Sequence, residues 1–171
     1  MKNRTKLIAT AFALIASASG SFAQSTASAT ATATIVTPIS ITKTVDMNFG
    51  NVAVQAGTGG TVIMTPAGVR SVTGGVTLPA TTGTVSAASF TVNGQGAYTY
   101  GIILPSSALT LTSGANTMTA DTFTSTPTVA AGQLTLGTQT LTVGATLNVA
   151  AAQASGVYVS GTPFNVTVNY N

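Results

Sequence analysis

Apolar and polar residues alternate along most of the chain, and this period of two is its dominant pattern. In residues 141–149, Leu, Val, Ala, Leu and Val alternate with Thr, Gly, Thr and Asn. Shorter runs of the same kind occupy residues 88–92, 98–104, 109–111 and 164–170. Such alternation is typical of antiparallel strands that bury one face and expose the other. No window has a convincing helical period, so the sequence predicts an all-β fold.

Short segments rich in glycine separate these runs. They lie at residues 57–60, 66–68, 74–75, 93–96, 113–116 and 160–161, and each is typical of a turn. The pair Asn93-Gly94 stands between two alternating runs and predicts a β-hairpin. Strands and turns that alternate roughly every 8–12 residues predict one antiparallel two-sheet β-sandwich domain, which we place at residues 39–171.

The apolar phase of each run predicts which side chains are buried together. Tyr98 and Tyr100 share a strand face, and this spacing favours a place in the core over a sugar-stacking site. The predicted single core contains Phe49, Phe90, Tyr100, Leu147, Val166 and Val168.

The first 23 residues have the three parts of an export signal. Lys2, Arg4 and Lys6 precede an apolar stretch at residues 7–16, and Ser21-Phe22-Ala23 has small residues at the two positions that a signal peptidase reads. The apolar stretch is shorter than the roughly 20 residues that cross a bilayer. The sequence therefore predicts a signal peptide at residues 1–23 and an exported mature chain without a membrane span.

Residues 24–38 form a predicted N-terminal extension that differs from the rest of the chain. Alanine, and finally isoleucine, alternates there with serine and threonine, and Pro38 separates the segment from the first strand of the domain. Two interpretations are open: a low-complexity linker, or a detachable strand with one apolar face. In the second interpretation the donor-strand residues are Ala27, Ala29, Ala31, Ala33 and Ile35.

Loss of the signal peptide leaves a chain with very few charges. Three of the five Lys and Arg leave with it, so Lys43 and Arg70 remain against Asp46 and Asp121, and the net charge is 2 − 2 = 0. No basic patch remains to attract nucleic acid or anionic lipid. A neutral surface rich in Thr, Ser, Asn and Gln creates little electrostatic repulsion between copies. This property is typical of a protein that functions as part of an assembly.

The sequence offers little for catalysis or metal binding. It contains no His and no Cys, so it lacks the commonest metal ligands and every Ser-His or Cys-His pairing. Lys43 is expected to extend along a sheet edge or to pair with Asp46. Asp121 is expected to face solvent or to bond a local backbone N–H. We therefore expect no enzyme activity, no cofactor and no metal site.

Several segments together resemble a family of exported bacterial proteins. They are Asp46-Met47-Asn48-Phe49-Gly50-Asn51-Val52, residues 90–94, 100–105 and 141–147, and the C-terminal stretch that starts at Gly156. The whole mature chain is similar to the secreted family known as domain of unknown function 4402. That name implies an exported protein and carries no activity.

The chain also resembles, more loosely, the subunits of chaperone–usher pili and spore-coat-U-like proteins. This resemblance implies an immunoglobulin-like sandwich that lacks one strand, which the extension of the next subunit supplies. It also implies a periplasmic chaperone, which reads the last strand, and an outer-membrane usher. The chaperone-read residues would be Phe164, Val166, Val168 and Tyr170. The chain departs from the pilins in having no Cys for their disulfide and mainly Ala in its extension.

Two functions follow as hypotheses. The first is a structural subunit of a surface fibre or coat, built from copies of this chain by β-strand addition after export through the periplasm. The second is a monomeric secreted adhesion or carbohydrate-binding module that uses its loops. The oligomeric state of the exported protein separates the two.

Export predicts a defined new N-terminus. Cleavage after Ala23 leaves Gln24 as the first residue, because the small residues before that bond fit the signal peptidase. The intact mass of protein recovered from the periplasm or the cell surface should equal that of residues 24–171. Full-length protein retained in the cytoplasm would contradict this prediction.

Overall fold

The computed structural model describes residues 24–171. The predicted signal peptide, residues 1–23, lies outside the described residues. The chain divides into two units, of which the first ends at Thr34 and the second covers residues 35–171. In the first unit, residues 24–34 have no regular secondary structure. The second unit carries the β fold.

Residues 35–171 form thirteen β-strands and no helix. The strands are β1 (Ser40–Val45), β2 (Ala53–Val54), β3 (Gly60–Met64), β4 (Arg70–Gly74), β5 (Val76–Thr77), β6 (Ala88–Asn93), β7 (Thr99–Ile103), β8 (Leu109–Ser113), β9 (Asn116–Thr126), β10 (Gly132–Gln133), β11 (Thr138–Val149), β12 (Val159–Ser160) and β13 (Thr167–Tyr170). The β-branched and aromatic residues of these segments suit a pleated, half-buried backbone.

The strands are arranged in three antiparallel sheets. The largest has eight strands in the order β1-β6-β11-β9-β8-β12, with β3 added beside β11 and β4 beside β3. A second sheet has the order β10-β7-β13, and β2 pairs with β5 in a third. The predicted all-β antiparallel fold is confirmed, and the arrangement is consistent with a β-sandwich.

The long strand β11 changes its neighbour half-way along. Residues 138–143 pair with β6, and residues 146–149 pair with β3 on the same side. On its other side β11 pairs with β9, with a shift of register between Gly144 and Thr146. A Cβ at Gly144 would collide with the carbonyl oxygen of Met64, so only glycine allows this close approach. A register shift of this kind bends a strand and increases its twist.

Two buried clusters form the interior, so the prediction of one shared core is wrong. Cluster 1 lies between the large sheet and the β10-β7-β13 sheet; its buried members are Ala88, Phe90, Val92, Tyr100, Ile102, Leu134, Leu141, Val143 and Val168. Cluster 2 holds Phe49, Val62, Met64, Val76, Ala120, Ala145, Leu147 and Val149. Met47 and Phe123 pack against both clusters. Alternation identifies buried faces, but it cannot show that the bend in β11 separates them.

The hairpin predicted at Asn93-Gly94 is also wrong. The segment does turn, with the N–H of Tyr98 donating to the carbonyl of Gln95 at 3.1 Å. However, β6 before it belongs to the large sheet and β7 after it to the three-stranded sheet, so the connection crosses between sheets. True hairpins join β3 to β4 and β8 to β9. In the second, Gly114 has a φ of 58°, as the first central residue of a primed turn requires.

Truncation of Phe90 tests cluster 1. The ring is 9% exposed and makes an edge contact with Phe164, with ring centroids 6.4 Å apart. Phe90→Ala should lower the free energy of unfolding by roughly 3–5 kcal/mol. The matched control is Thr140→Ala, at an exposed position on β11, which should change it by less than about 0.5 kcal/mol. Equal effects in denaturant titrations would contradict the assigned faces.

The buried Tyr100 predicts a loss of stability at alkaline pH. Its hydroxyl donates to Oε1 of Gln139 at 2.6 Å, and burial raises the pKa of Tyr100 above its ordinary value. A raised folded-state pKa means that this stabilisation is complete below about pH 10, the ordinary tyrosine pKa, and falls as pH rises above it. Tyr100→Phe should flatten that part of the stability profile, whereas Tyr98→Phe, at a surface position, should not.

Candidate functional site

A groove of about 1090 Å³ lies over cluster 2 and is the candidate binding site. Its floor is apolar and draws on four strands of the large sheet, β6, β8, β9 and β11. The floor side chains are Ala88, Phe90, Leu109, Leu111, Met118, Ala120, Leu147 and Val149. Leu109, Leu111 and Met118 pack against cluster 2 but are only partly buried. The second layer that covers cluster 1 is therefore incomplete over cluster 2.

Two edge strands of the large sheet, β1 and β12, border this groove. The first wall is residues 43–54, which begin in β1, and the second wall is residues 153–164, which include β12. In the described part of the chain β1 pairs only with β6, and β12 pairs only with β8. The sheet thus curls until these two edge strands flank one opening. Each edge has backbone N–H and C=O groups without a strand partner.

The side chains of Asn48 and Arg70 hold the first wall by hydrogen bonds to its backbone. The side chain of Asn48 accepts a hydrogen bond from the N–H of Gly50 at 2.8 Å, and Gly50 has a φ of 67°. Arg70 donates to the carbonyl of Phe49 at 2.5 Å and to that of Asn51 at 3.0 Å. These bonds fix a turn that directs Phe49 into cluster 2. They give a physical reason for the Asn-Phe-Gly-Asn sequence.

The second wall is braced by Tyr158. Its hydroxyl donates to the carbonyl of Ala154 at 2.8 Å and accepts from Nε2 of Gln153 at 2.7 Å. Val157 and Val159 follow on this wall and are 81% and 60% exposed. The wall is therefore ordered while its valines remain in water, although an apolar partner would favour their burial.

The charges of the groove neutralise each other. Nζ of Lys43 lies 2.6 Å from Oδ1 of Asp46, and both side chains are largely exposed at the rim. The predicted pairing of Lys43 with Asp46 is confirmed. Such an exposed pair contributes little to stability. Lys43 and Asp46 supply all the charge in the lining, which leaves a neutral site with an apolar floor.

The second acid, Asp121, lies outside the groove lining. Its carboxylate accepts hydrogen bonds at 2.8 Å from Oγ1 of Thr122 and from Nδ2 of Asn148. It is half-buried and bonded to side chains, so the prediction of a solvent-facing or backbone-bonded Asp121 is wrong. Asn148 lies next to it across the β9–β11 pair, a contact that spacing along the sequence cannot reveal.

Within residues 24–171, His, Cys, Asp and Glu nowhere form a group of three or more that could hold a metal ion. The same part of the chain has no helix with the length and apolar character needed to cross a membrane.

The terminal residues predicted for chaperone recognition divide between two places. Phe164 lines the groove and lies 5.1 Å from the ring of Phe123. Val168 is buried in cluster 1, and Val166, just before β13, is partly buried against it. Tyr170 lies outside the groove lining and is hydrogen-bonded within its own chain. The structure thus brings only Phe164 to the groove.

The predicted donor-strand residues are not part of any strand. Ala27, Ala29, Ala31 and Ala33 belong to the unit that ends at Thr34, whereas Ile35 belongs to the unit with the β fold. Ile35 is 92% exposed. The role of these residues as a donor strand stays a prediction.

Sequence reasoning missed the residues that shape the walls. Arg70 is the one arginine after residue 23, and an isolated cation in so neutral a chain is a signal of a specific partner. Gln153 and Tyr158 carry no comparable signal, because Gln and Tyr are ordinary residues of a β-protein surface.

Comparison with known proteins identifies a family and no individual relative. A search of curated proteins and a search of solved structures found no match. A family model described as "Domain of unknown function (DUF4402)" matches residues 39–170. This match covers all thirteen strands and both walls of the groove, and the chain belongs to the DUF4402 family.

Proposed function

We propose that this protein is a structural subunit of a bacterial surface fibre or coat. Copies assemble by β-strand addition: the extension of one copy, with Ala27, Ala29, Ala31, Ala33 and Ile35 on its apolar face, enters the groove of the next. Export through the periplasm, with an assembly chaperone and an outer-membrane usher as partners, is part of the proposal and follows the pilin resemblance.

One observation carries the proposal: two edge strands of the eight-stranded sheet, β1 and β12, flank the same groove with its apolar floor. An added strand between β1 and β12 would find backbone partners on both sides. It would also cover the exposed part of cluster 2 and close the curled sheet. Such a strand would remove both of these unpaired edges, so the missing element has the character of a strand.

The size and chemistry of the groove favour a peptide over a small ligand. Its volume of about 1090 Å³ is at the upper end of the roughly 300–1,000 Å³ typical of small-molecule sites and is large enough for an extended peptide segment. Small-molecule sites also place a few polar groups to orient the ligand. Here the two charged groups of the lining, Lys43 and Asp46, bond to each other at the rim. An extended chain needs no such groups, because its backbone supplies the polar contacts.

The extension suits this groove in polarity and in shape. Residues 24–36 have no charged side chain, and their alternating Ala and Thr or Ser place one small apolar face inward and a polar face outward. Each alanine buries little area, so the backbone ladder supplies most of the affinity. Ile35 is the one large side chain of that face and would contribute roughly 1.5–3 kcal/mol when fully buried.

Removal of the extension should abolish assembly and leave the domain able to accept it in trans. Mature protein that lacks residues 24–36 should remain monomeric in size-exclusion chromatography, whereas the full mature chain forms polymers. A synthetic peptide of residues 24–36 should bind the truncated domain and raise its melting temperature. Polymers formed by the truncated protein, or a full mature chain that stays monomeric and ignores the peptide, would contradict the proposal.

Two matched valines locate the binding surface. Val157 on the second wall and Val69 in the β3–β4 turn are 81% and 62% exposed, and only Val157 lines the groove. Val157→Asp should weaken binding of the peptide by at least about tenfold, because it buries an unpaired charge. Val69→Asp should leave binding unchanged, and equal effects would place the peptide elsewhere.

A further inference from the structure

The last strand holds the start of the domain through one tyrosine. The hydroxyl of Tyr170 donates to the carbonyl of Thr37 at 2.8 Å and accepts from the N–H of Gln95 at 2.6 Å. The side chain of Gln95 in turn accepts from the N–H of Thr37 at 3.2 Å. Thr37 is thus bonded through both of its backbone polar groups. We call these three residues the Thr37 clamp.

The surroundings of Tyr170 fit its ring and hydroxyl closely. The ring packs against Tyr98 with centroids 5.6 Å apart. A Cβ at position 94 would collide with the tyrosine hydroxyl, so Gly94 leaves the space that this hydroxyl occupies. The clamp is therefore a closely packed, hydrogen-bonded contact between β13, the β6–β7 connection and the residue before Pro38.

The clamp lies at the opposite end of β1 from the groove. In the β1–β6 pair, Ser40 faces Asn93 and Lys43 faces Phe90. The groove lining begins at Lys43 and Phe90 and includes none of residues 35–42 or 91–104. Thr37 precedes Ser40, so the clamp stands beyond the paired start of β1 while the groove opens at its end.

This separation is larger than the reach of Ile35. Lys43 is six residues further along the chain than Thr37, a distance of about 20 Å at 3.3 Å per residue for extended chain. Ile35 is two residues from Thr37, so its Cα lies within about 7 Å of the clamp. While the clamp is closed, the largest apolar side chain of the extension cannot enter the groove of its own domain.

We infer that Tyr170 is a positioning residue that reserves Ile35 for the groove of a second copy. The inference rests on the proposed function, because it assumes that Ile35 enters a groove. The clamp holds Thr37 at the closed end of the domain and leaves Ile35 in solvent, where it is 92% exposed. When the clamp opens, the chain before Pro38 is free to fold back. Binding of Ile35 in the groove of its own domain then competes with assembly.

Thiol cross-linking tests the inference cleanly because the chain contains no Cys. Ile35→Cys is combined in one mature chain with Val157→Cys on the second wall, and separately with Val45→Cys on the first. All three positions are exposed, so folding should be retained. At high dilution a short thiol-specific reagent should give cross-linked dimers and larger species, with almost no internally cross-linked monomer.

Addition of Tyr170→Phe should raise the fraction of internally cross-linked monomer by about three- to tenfold, the effect of losing one or two net hydrogen bonds. The control is Tyr98→Phe, which changes the neighbouring ring and leaves the clamp bonds in place; it should have no effect. Two results would overturn the inference and still leave groove occupation by the extension intact. The first is an equal level of internal cross-links with and without Tyr170→Phe, and the second is a set of intermolecular products that Tyr170→Phe does not alter. Absence of every cross-link at both walls would overturn the proposed function as well.

Discussion

The bend in β11 is the constraint on which the rest of the fold depends. Within residues 24–171, β11 is the strand that supplies buried side chains to both clusters, Leu141 and Val143 to the first and Leu147 and Val149 to the second. The register shift beside Gly144 turns one half of the strand away from the other. The three-stranded sheet can then cover cluster 1 but not cluster 2. An open groove is therefore a direct geometric result of how this strand is paired.

The groove has two physical properties that oppose each other. Its apolar floor and its two unpaired sheet edges favour association with another chain. The ordered walls keep the domain from closing over this floor and these edges. Arg70 stiffens the first wall through two carbonyl groups, and Tyr158 stiffens the second. A preformed opening loses less conformational freedom on binding than a flexible one, so more of the contact energy is available as affinity.

Local patterns predict the strands of this protein well, but they do not predict how the strands associate. Period-two alternation identified the buried faces of β6, β7 and β11 because a strand places successive side chains on opposite faces. The turn sequence Asn93-Gly94 led to a wrong hairpin, because a turn sequence does not determine whether the next strand pairs locally or crosses to another sheet. The anchored Tyr170 was beyond local patterns for the same reason, because its hydrogen-bond partners Gln95 and Thr37 lie 75 and 133 residues away along the chain.

In the proposed assembly, the Lys43–Asp46 pair at the rim has a consequence for how fast copies meet. Because the two charges cancel within 2.6 Å, they project little field into solvent, and the extension has no charged side chain. Electrostatic steering, which accelerates many protein associations, is therefore weak in such an encounter. The association rate should stay near the roughly 10⁵–10⁶ M⁻¹s⁻¹ of neutral partners and vary little with ionic strength. Growth would then proceed alike in dilute fresh water and in concentrated brine, with local subunit concentration as its main control.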